Sequence, residues 1–329
     1  MDERLNILSR WIEGILGSSV ELAPASADAS FRRYFRVFCR DGRTYIAMDA
    51  PPEHESVEVF ARTAARFGEV GLNVPVVHGV NEGQGFALLS DLGTRTYLAE
   101  LDADNAGDLY DDALDALFRL QCGGRARLDL FPAYDHAELT REMELFRQWF
   151  VPYRTTHELS ADDHATIDRT YRALAGSALE QPRVWVHRDF HSRNLMVLDT
   201  DNPGVLDFQD AVSGPVTYDL VSLLRDCYIV WPKERVGHWL TGYFERIRPI
   251  LGDDAVTLER FTRWFDWMGV QRHIKVLGIF SRLYHRDGKA AYLDDLPVVY
   301  TYVRDVCGQY QELRPFRDLI ESMPVQWTS

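Results

Sequence analysis

Residues 187–196 read His-Arg-Asp-Phe-His-Ser-Arg-Asn-Leu-Met, and residues 206–210 read Leu-Asp-Phe-Gln-Asp. Three short apolar runs lie beside these stretches, at 184–187, 194–198 and 205–208. A turn separates the second run from the third. Runs of this length that are rich in β-branched and aromatic residues are typical of strands. The sequence therefore predicts two polar loops that short strands hold in position.

The polar residues of these loops have the spacing H-x-D-x-x-x-x-N, followed by a strand that ends in an aspartate. This spacing is typical of the catalytic and metal-binding loops of kinases. Phosphoryl transfer requires a carboxylate beside the attacking hydroxyl and oxygen ligands that hold Mg²⁺ on the phosphates. Asp189 is predicted to be the catalytic carboxylate. Asn194 and Asp207 are predicted to be the metal ligands, because both offer the hard oxygen atoms that Mg²⁺ prefers.

A metal-dependent hydrolase is the alternative from a different class of enzyme. His187, Asp189 and His191 are spaced two residues apart, so an extended strand would place them on one face. No motif elsewhere in the sequence supplies an obvious further ligand for a hydrolytic metal. The kinase interpretation is therefore preferred.

Composition restricts the class of protein. The 329 residues are 46% hydrophobic and 26% charged, which is typical of a soluble globular protein with about two domains or lobes. The net charge of −14 argues against a nucleic-acid partner. The four cysteines form no CxxC pair, which indicates reduced thiols and a cytoplasmic protein. No apolar stretch is long enough to predict a membrane span.

The hydrophobic periodicity changes along the chain. The first ninety residues predict a mixture of helices and strands, at 4–16, 31–39, 44–48, 55–68, 74–80 and 86–90. After Gly93 the periodicity is mainly helical, at 104–121, 137–150, 160–176 and 255–285. We therefore predict an α+β fold with a small β-rich N-terminal lobe, residues 1–92, that binds nucleotide. A larger and mostly helical C-terminal lobe, residues 93–329, is predicted to carry the catalytic loop and the acceptor site.

Nearly the whole chain resembles the aminoglycoside phosphotransferase and choline kinase-like family, whose usual loop is H-G-D-F-H-x-x-N-L/I. Residues 187–195 differ from that loop only at Arg188, where the family often has Gly. Within the family, the chain is most similar to the bacterial anomeric sugar kinases that phosphorylate N-acetylmuramate and N-acetylglucosamine. That closer resemblance is carried by residues 48–52, 206–219, 271–280 and 286–289.

The resemblance implies a two-lobed protein-kinase-like fold that uses ATP and Mg²⁺. It implies transfer of the γ-phosphate to the anomeric hydroxyl of an N-acetylated amino sugar, which gives a sugar 1-phosphate during peptidoglycan recycling. The expected partner is that small molecule alone, with no nucleic acid and no membrane, and the expected oligomeric state is a monomer. An aminoglycoside or choline-type phosphotransferase and a nucleotide-binding pseudokinase stay open as alternatives, although intact Asp189, Asn194 and Asp207 argue against the pseudokinase.

The N-terminal lobe departs from the usual kinase pattern. Residues 44–48 contain no Lys, and the helix position that normally carries its Glu partner falls near Phe60, with Glu58 close by. Small residues followed by Arg32 and Arg33 replace the glycine-rich phosphate loop. One of these arginines is predicted to bind the phosphates, because a guanidinium can bind phosphate bidentately. Strand alternation allows at most one of the two to face inward, and both could instead face solvent.

Further site residues are predicted from the resemblance. The remaining nucleotide-binding residues are predicted to be Ser30, Met48, Leu89 and Asp91, with Leu89 and Asp91 in the hinge between the lobes. A polycationic aminoglycoside requires carboxylates in its binding pocket, whereas a neutral or anionic acceptor does not. Cations are frequent around the expected cleft, which favours a neutral or anionic acceptor. The predicted acceptor-site residues are His191, Arg193, Asp210, Arg225 and Arg272. His187 and Asp219 are predicted to brace the catalytic loop. The alternative for Asp219 is that it lies near a helix N-terminus and only offsets the helix dipole.

Overall fold

The computed structural model describes residues 2–26, 31–252 and 256–327. The chain forms two units, each with its own internal packing. The first unit consists of Met1–Leu120 with Arg193–Asp210, and the second consists of Gln121–Ser192 with Ala211–Ser329. The predicted lobe boundary after residue 92 stays a prediction, because the internal packing of the two units does not show where nucleotide and acceptor bind.

A five-stranded antiparallel sheet in the order β1-β2-β3-β5-β4 forms the centre of the first unit. The strands are β1 (Val20–Ser26), β2 (Arg33–Cys39), β3 (Thr44–Asp49), β4 (Val77–Asn81) and β5 (Phe86–Ser90). The sequence did not predict β1, because Pro24 and several small residues remove its alternating pattern. Proline is tolerated there because β1 lies at the edge of the sheet.

The helices of the first unit are α1 (Glu3–Leu16), α2 (Val57–Glu69), α3 (Tyr97–Glu100) and α4 (Ala106–Gly124). Helix α4 continues past Leu120, where this part of the unit ends. Helix α1 buries Leu8 and Ile12, one turn apart, against a cluster on the sheet that comprises Phe35, Val37, Ala47, Phe86 and Leu88. The strands and helices predicted for the first ninety residues are confirmed within a few residues of their ends. Alternation and helical periodicity located them because each buries one face.

A short hairpin positions the polar loops that belong to the first unit. Strands β7 (Leu195–Met196) and β8 (Gly204–Val205) pair antiparallel. The backbone N–H of Val205 donates to the carbonyl of Asn73 at 2.8 Å. The predicted strand at 205–208 is shorter than expected, since it ends at Val205 and Asp207 has a φ of 59°. A left-handed residue cannot continue a β-ladder, so the chain leaves the strand before Asp207.

The second unit is mostly helical. Its helices are α5 (His136–Leu145), α6 (Val151–Arg154), α7 (Ala161–Leu179), α8 (Tyr218–Leu224), α9 (Lys233–Ile247), α10 (Leu258–Asp287), α11 (Leu296–Gln309) and α12 (Arg314–Ser322). Strands β6 (Arg183–Val186) and β9 (Val212–Pro215) pair antiparallel beside them. The predicted helix at 137–150 changes to a wider π-turn over Phe146–Phe150. The predicted α+β fold class is confirmed.

Helix α10 is the central element of the second unit. Residues 264–278 are buried on every side, and they include the polar side chains of Asp266, Gln271, Arg272, His273 and Lys275. Buried polar groups require partners, so this helix organises the ion pairs around it. No helix among the described residues is long and apolar enough to span a lipid bilayer.

Gly278 gives a test of how closely α10 packs. A β-carbon at Gly278 would lie 2.3 Å from the carbonyl carbon of Leu145 at the end of α5. Gly278→Ala is expected to destabilise the protein by about 1–3 kcal/mol, although Ala favours helix by about 1 kcal/mol. Gly242→Ala on α9 is the control, because an added β-carbon there meets no described atom within 4 Å. It is expected to be stabilising. Urea denaturation of both variants measures the difference, and equal stabilisation by both would contradict close packing at Gly278.

Candidate active site

The loop that carries Asp189 begins where β6 ends. Asp219, the second residue of α8, accepts the backbone N–H of His187 at 2.7 Å and that of Arg188 at 3.0 Å. The backbone N–H of Asp189 donates to Nδ1 of His187 at 3.2 Å. Burial raises the pKa of Asp219 to about 7, although the two N–H groups favour its ionised form. Both predicted bracing residues therefore contact the backbone of this loop.

Arg188 has a left-handed backbone, with a φ of 80°. A residue with a β-carbon pays about 1–2 kcal/mol in this region, which explains why glycine suits the position. The guanidinium of Arg188 forms ion pairs with Glu142, which is buried, and with Glu138 at 3.5 Å, both on α5. These ion pairs offset the energetic cost of the left-handed backbone at Arg188.

Two cations of α10 lie one helical turn apart and contact the same region. Nη2 of Arg272 lies 3.5 Å from Oδ1 of Asp189, and its Nη1 donates to the carbonyl of Arg188 at 2.6 Å. Nζ of Lys275 lies 2.9 Å from the carboxylate of Glu142. Arg272 and Lys275 also donate to the hydroxyl of Tyr218, at 3.2 and 3.1 Å.

These charges control the protonation of both carboxylates. Burial raises the pKa of Glu142, but Lys275 and Arg188 outweigh that effect and lower it to about 2. Burial likewise raises the pKa of Asp189, and the nearby charges of Arg272 and Lys275 hold it below its usual range. The Asp189 side chain is 36% exposed. Asp189 is thus an ionised carboxylate that a small molecule can reach.

The first unit brings together the two predicted metal ligands. Nδ2 of Asn194 lies 3.5 Å from Oδ2 of Asp207, and the backbone N–H of Leu206 donates to the carbonyl of Asn194 at 2.9 Å. Gln209 donates from Nε2 to Oδ1 of Asp207 at 3.1 Å and to Asp210 at 3.0 Å. Its Oε1 is buried and has no hydrogen-bond partner among the described residues.

This donor set fits Mg²⁺. An amide and a carboxylate offer hard oxygens, and Mg²⁺ is commonly held by one or two carboxylates together with water and phosphate oxygens. No group of three or more His, Cys, Asp or Glu residues within residues 2–26, 31–252 and 256–327 could hold a metal ion. The cluster of His187, Asp189 and His191 that the hydrolase alternative requires is therefore not formed.

Two neighbouring arginines have different partners: Arg32, which precedes β2, and Arg33, the first residue of β2. Arg32 is 9% exposed, and its Nη2 lies 3.3 Å from Oδ1 of Asp207. Its Nε lies 3.8 Å from Glu55. Arg33 instead donates from Nε to Asp49 at 3.0 Å and pairs with Asp2. Only Arg32 is in contact with a predicted metal ligand.

The helix position predicted to correspond to the kinase Glu is apolar. Phe60 of α2 is buried, and its ring centroid lies 4.7 Å from that of Phe208, the residue after Asp207. Glu58 is exposed and pairs with Arg62 at 3.2 Å. Glu58 therefore does not replace the missing kinase glutamate in this unit.

The remaining predicted nucleotide-binding residues have different environments. Ser30 lies outside the described residues. Met48 and Leu89 are buried on β3 and β5. Asp91 accepts from Nε of Arg36 at 2.7 Å, and Arg36 also donates to the carbonyl of Gly93 at 2.8 Å. Arg36 of β2, a residue that the sequence did not single out, thus contacts the segment that was predicted to be the hinge.

The five predicted acceptor-site residues are divided between the two units. Arg193 and Asp210 belong to the first unit, and the other three belong to the second. Arg225 pairs with Asp266 and stacks over the ring of Phe265. Arg272 contacts Asp189, whereas the ring of His191 packs edge-on against that of Tyr228, with 5.4 Å between centroids. The sequence did not single out Glu142 or Gln209, because only tertiary packing shows the surroundings of a polar side chain on a helix or loop.

Comparison with known proteins identifies the family of the chain. A family model described as the phosphotransferase enzyme family matches residues 21–272. The N-acetylmuramate/N-acetylglucosamine kinase of Pseudomonas putida is 45% identical over 327 residues, which cover 98% of this chain and 94% of that protein. The protein of the same name from Pseudomonas aeruginosa is 42% identical, and the match covers 98% of each chain.

A solved structure agrees at the level of the fold. An ADP-bound aminoglycoside phosphotransferase, APH(2'')-Ib, superposes with a TM-score of 0.56 at 16% identity, over 91% of this chain and 96% of that chain. Identity this low supports the fold alone, but the family model and both Pseudomonas relatives extend through most of the sequence. On these grounds the chain belongs to the phosphotransferase enzyme family.

Proposed function

We propose that this protein is an ATP-dependent kinase that phosphorylates the anomeric hydroxyl of N-acetylmuramate or N-acetylglucosamine, giving a sugar 1-phosphate for peptidoglycan recycling. The observation that carries the proposal is the ionised, reachable carboxylate of Asp189 on a braced loop. The names of the relatives supply the class of acceptor. ATP is the proposed phosphate donor, and the proposed location is the cytoplasm, where ATP is available.

In the proposed mechanism, Asp189 orients the anomeric hydroxyl and accepts its proton as the phosphate is transferred. The anomeric hydroxyl is more acidic than an ordinary alcohol, so a carboxylate with a low pKa is a sufficient base. Phosphoryl transfer also needs little proton removal before the transition state, because bonding to the nucleophile is weak there. Asp189 therefore acts mainly by position.

Asn194, Asp207 and Arg32 form the proposed phosphate side of the reaction. When bound, Mg²⁺ would neutralise charge on the β- and γ-phosphates, and Asn194 and Asp207 would hold it. Arg32 would donate to the phosphates, because it is the buried cation beside Asp207. This assigns to Arg32 the charge that a strand Lys supplies in other kinases, and it leaves Arg33 with Asp49.

The charges around Asp189 favour an amino sugar over a cationic acceptor. Three cations, Arg188, Arg272 and Lys275, surround the carboxylates of Asp189 and Glu142. An aminoglycoside or choline would bring further positive charge close to these three cations, and like charges repel. We therefore do not propose the aminoglycoside or choline-type alternative for this protein.

The choice of acceptor can be tested by ADP release. With Mg·ATP, turnover is expected with N-acetylmuramate and N-acetylglucosamine at matched concentrations, and none is expected with kanamycin or choline. Phosphate release by acid hydrolysis of the product distinguishes an anomeric phosphate from a phosphate on another hydroxyl. Turnover with kanamycin or choline alone would contradict the proposed acceptor. Saturable ATP binding without turnover would support a pseudokinase.

The role of Asp189 can be tested with Asp189→Asn, which keeps the shape of the side chain but cannot accept the proton. We expect kcat to fall by about 10²–10⁴-fold, the usual contribution of a positioned general base. The KM for ATP is expected to change little. Asp199→Asn is the control, because the Asp199 side chain is 94% exposed and pairs only with Arg95 among its described partners. Near-normal turnover by Asp189→Asn would refute the assignment.

The neighbouring arginines provide a matched pair of variants. Arg32→Gln is expected to raise the KM for Mg·ATP by about 10- to 100-fold, because a hydrogen bond to a charged group contributes about 1.5–3 kcal/mol. Arg33→Gln should leave this KM within about threefold, since its partners are Asp2 and Asp49. Steady-state kinetics with varied Mg·ATP measure both. The reverse order of effects would transfer the phosphate-binding role to Arg33.

A further inference from the structure

We propose that Arg272 is a positioning residue that holds the carboxylate of Asp189 in the orientation needed for phosphoryl transfer. This inference rests on the proposed function, in which Asp189 receives the hydroxyl proton. It assigns Arg272 a different role from acceptor binding, which the sequence alone predicted.

Two of the five N–H donors of Arg272 are used within the protein, and its side chain is almost fully buried. Its Nη1 donates to the carbonyl of Arg188 at 2.6 Å and to the hydroxyl of Tyr218 at 3.2 Å, which uses both hydrogens of that nitrogen. Its Nη2 lies 3.5 Å from Oδ1 of Asp189. The Arg272 side chain is only 8% exposed, whereas that of Asp189 is 36% exposed. Arg272 therefore supports the reactive group from the protein side.

The contact with Arg188 fixes the turn that precedes Asp189. Arg188 has a φ of 80°, so its peptide is held in a conformation that a residue with a β-carbon disfavours. Asp219 accepts the N–H of Arg188 at 3.0 Å, and Arg272 donates to the carbonyl of the same residue. The peptide groups on both sides of Arg188 are thus held, one by α8 and the other by α10.

A second layer of charge holds Arg272 and the loop in place. Lys275 donates to the same Tyr218 hydroxyl as Arg272 and pairs with Glu142 at 2.9 Å. Glu142 also pairs with Arg188 and accepts the hydroxyl of Tyr134. Because each of these buried groups has a charged or polar partner, the guanidinium of Arg272 has few alternative orientations. A rigid support of this kind is what a positioned catalytic carboxylate requires.

The charge of Arg272 also acts on the proton affinity of Asp189. The charged or titratable groups near Asp189 are Arg272 and Lys275 on α10, His187, Arg188 and His191 on its own loop, and Asp219 on α8. Burial raises the pKa of Asp189, and Arg272 makes the largest opposing contribution. Loss of Arg272 should therefore raise this pKa, so that Asp189 becomes protonated at a higher pH and activity declines earlier on the acid side.

The test compares Arg272→Gln and Arg272→Lys with Arg263→Gln. Arg263 lies on the same helix, where it stacks on Trp267 and pairs with Glu312 at 3.1 Å, so it controls for loss of an α10 arginine. Arg272→Gln is expected to lower kcat for the amino sugar by about 10²-fold, since a displacement of about 1 Å can cost that much. The KM values for sugar and ATP should stay within about threefold. Arg272→Lys keeps the charge but not the planar set of donors, so its kcat should be intermediate.

Two readouts separate positioning from a merely structural role. The ratio of kcat/KM for Arg272→Gln to that of the unmodified enzyme should fall as the pH is lowered from 7 to 5, whereas the ratio for Arg263→Gln should stay constant. In the Asp189→Asn background, Arg272→Gln should lower the rate by less than about threefold further, because a residue that acts through Asp189 has nothing left to position. Thermal melting confirms that each variant is folded, and Arg272→Lys carries the test if Arg272→Gln does not fold.

Several outcomes would overturn the proposal. A raised KM for the sugar at unchanged kcat would make Arg272 an acceptor-binding residue. Additive losses in the double variant, or an unchanged pH dependence, would leave it without a role through Asp189. Hydrolysis of ATP without sugar, measured on the same variants, separates this failure from failure of the proposed function. If the unmodified enzyme phosphorylates neither sugar, the acceptor is wrong, and the hydrolysis rates alone decide the role of Arg272.

Discussion

The second unit depends on the requirement that a buried carboxylate be paired. Glu142 of α5 satisfies this requirement with Lys275 of α10, Arg188 of the loop that carries Asp189 and the hydroxyl of Tyr134. Removal of one partner from a buried ion pair typically costs about 3–5 kcal/mol, because the remaining charge has no compensation. Three elements that are distant in sequence are therefore held together at one side chain. This pairing acts together with Asp219 and Arg272, which hold the backbone on either side of the left-handed Arg188.

The first unit solves a related problem with different residues. A strand Lys and a helix Glu normally form the ion pair of a kinase nucleotide lobe. Here Phe60 packs on Phe208, so the glutamate position contributes to the hydrophobic core. The cation beside Asp207 is Arg32, which precedes β2. An apolar contact can replace the structural part of the ion pair, but the charge still has to come from another element of the same unit.

The sequence predicted those features that follow from local pattern. Alternation and helical periodicity located most strands and helices, and the spacing of Asp189, Asn194 and Asp207 identified the polar loops. It did not predict β1, whose Pro24 breaks the alternation. Nor could it show that Arg225 pairs with Asp266 and Arg272 with Asp189, because each partner is distant in sequence from its arginine. Pairing between distant charges is a tertiary property, so the sequence could list these arginines as cations near the expected cleft but could not name their partners.

The same buried charges limit the chemistry that Asp189 can perform. A carboxylate beside Arg272 and Lys275 is stabilised in its ionised form and is a weak base. Such a group is poorly suited to remove a proton from an unactivated alcohol early in a reaction. It suits a reaction in which the nucleophile is more acidic, or in which the proton leaves late, and phosphoryl transfer to an anomeric hydroxyl has both properties. The cations that hold the loop rigid therefore also favour an acidic nucleophile. The same charges thus stabilise the fold and support the proposal that the anomeric hydroxyl is phosphorylated.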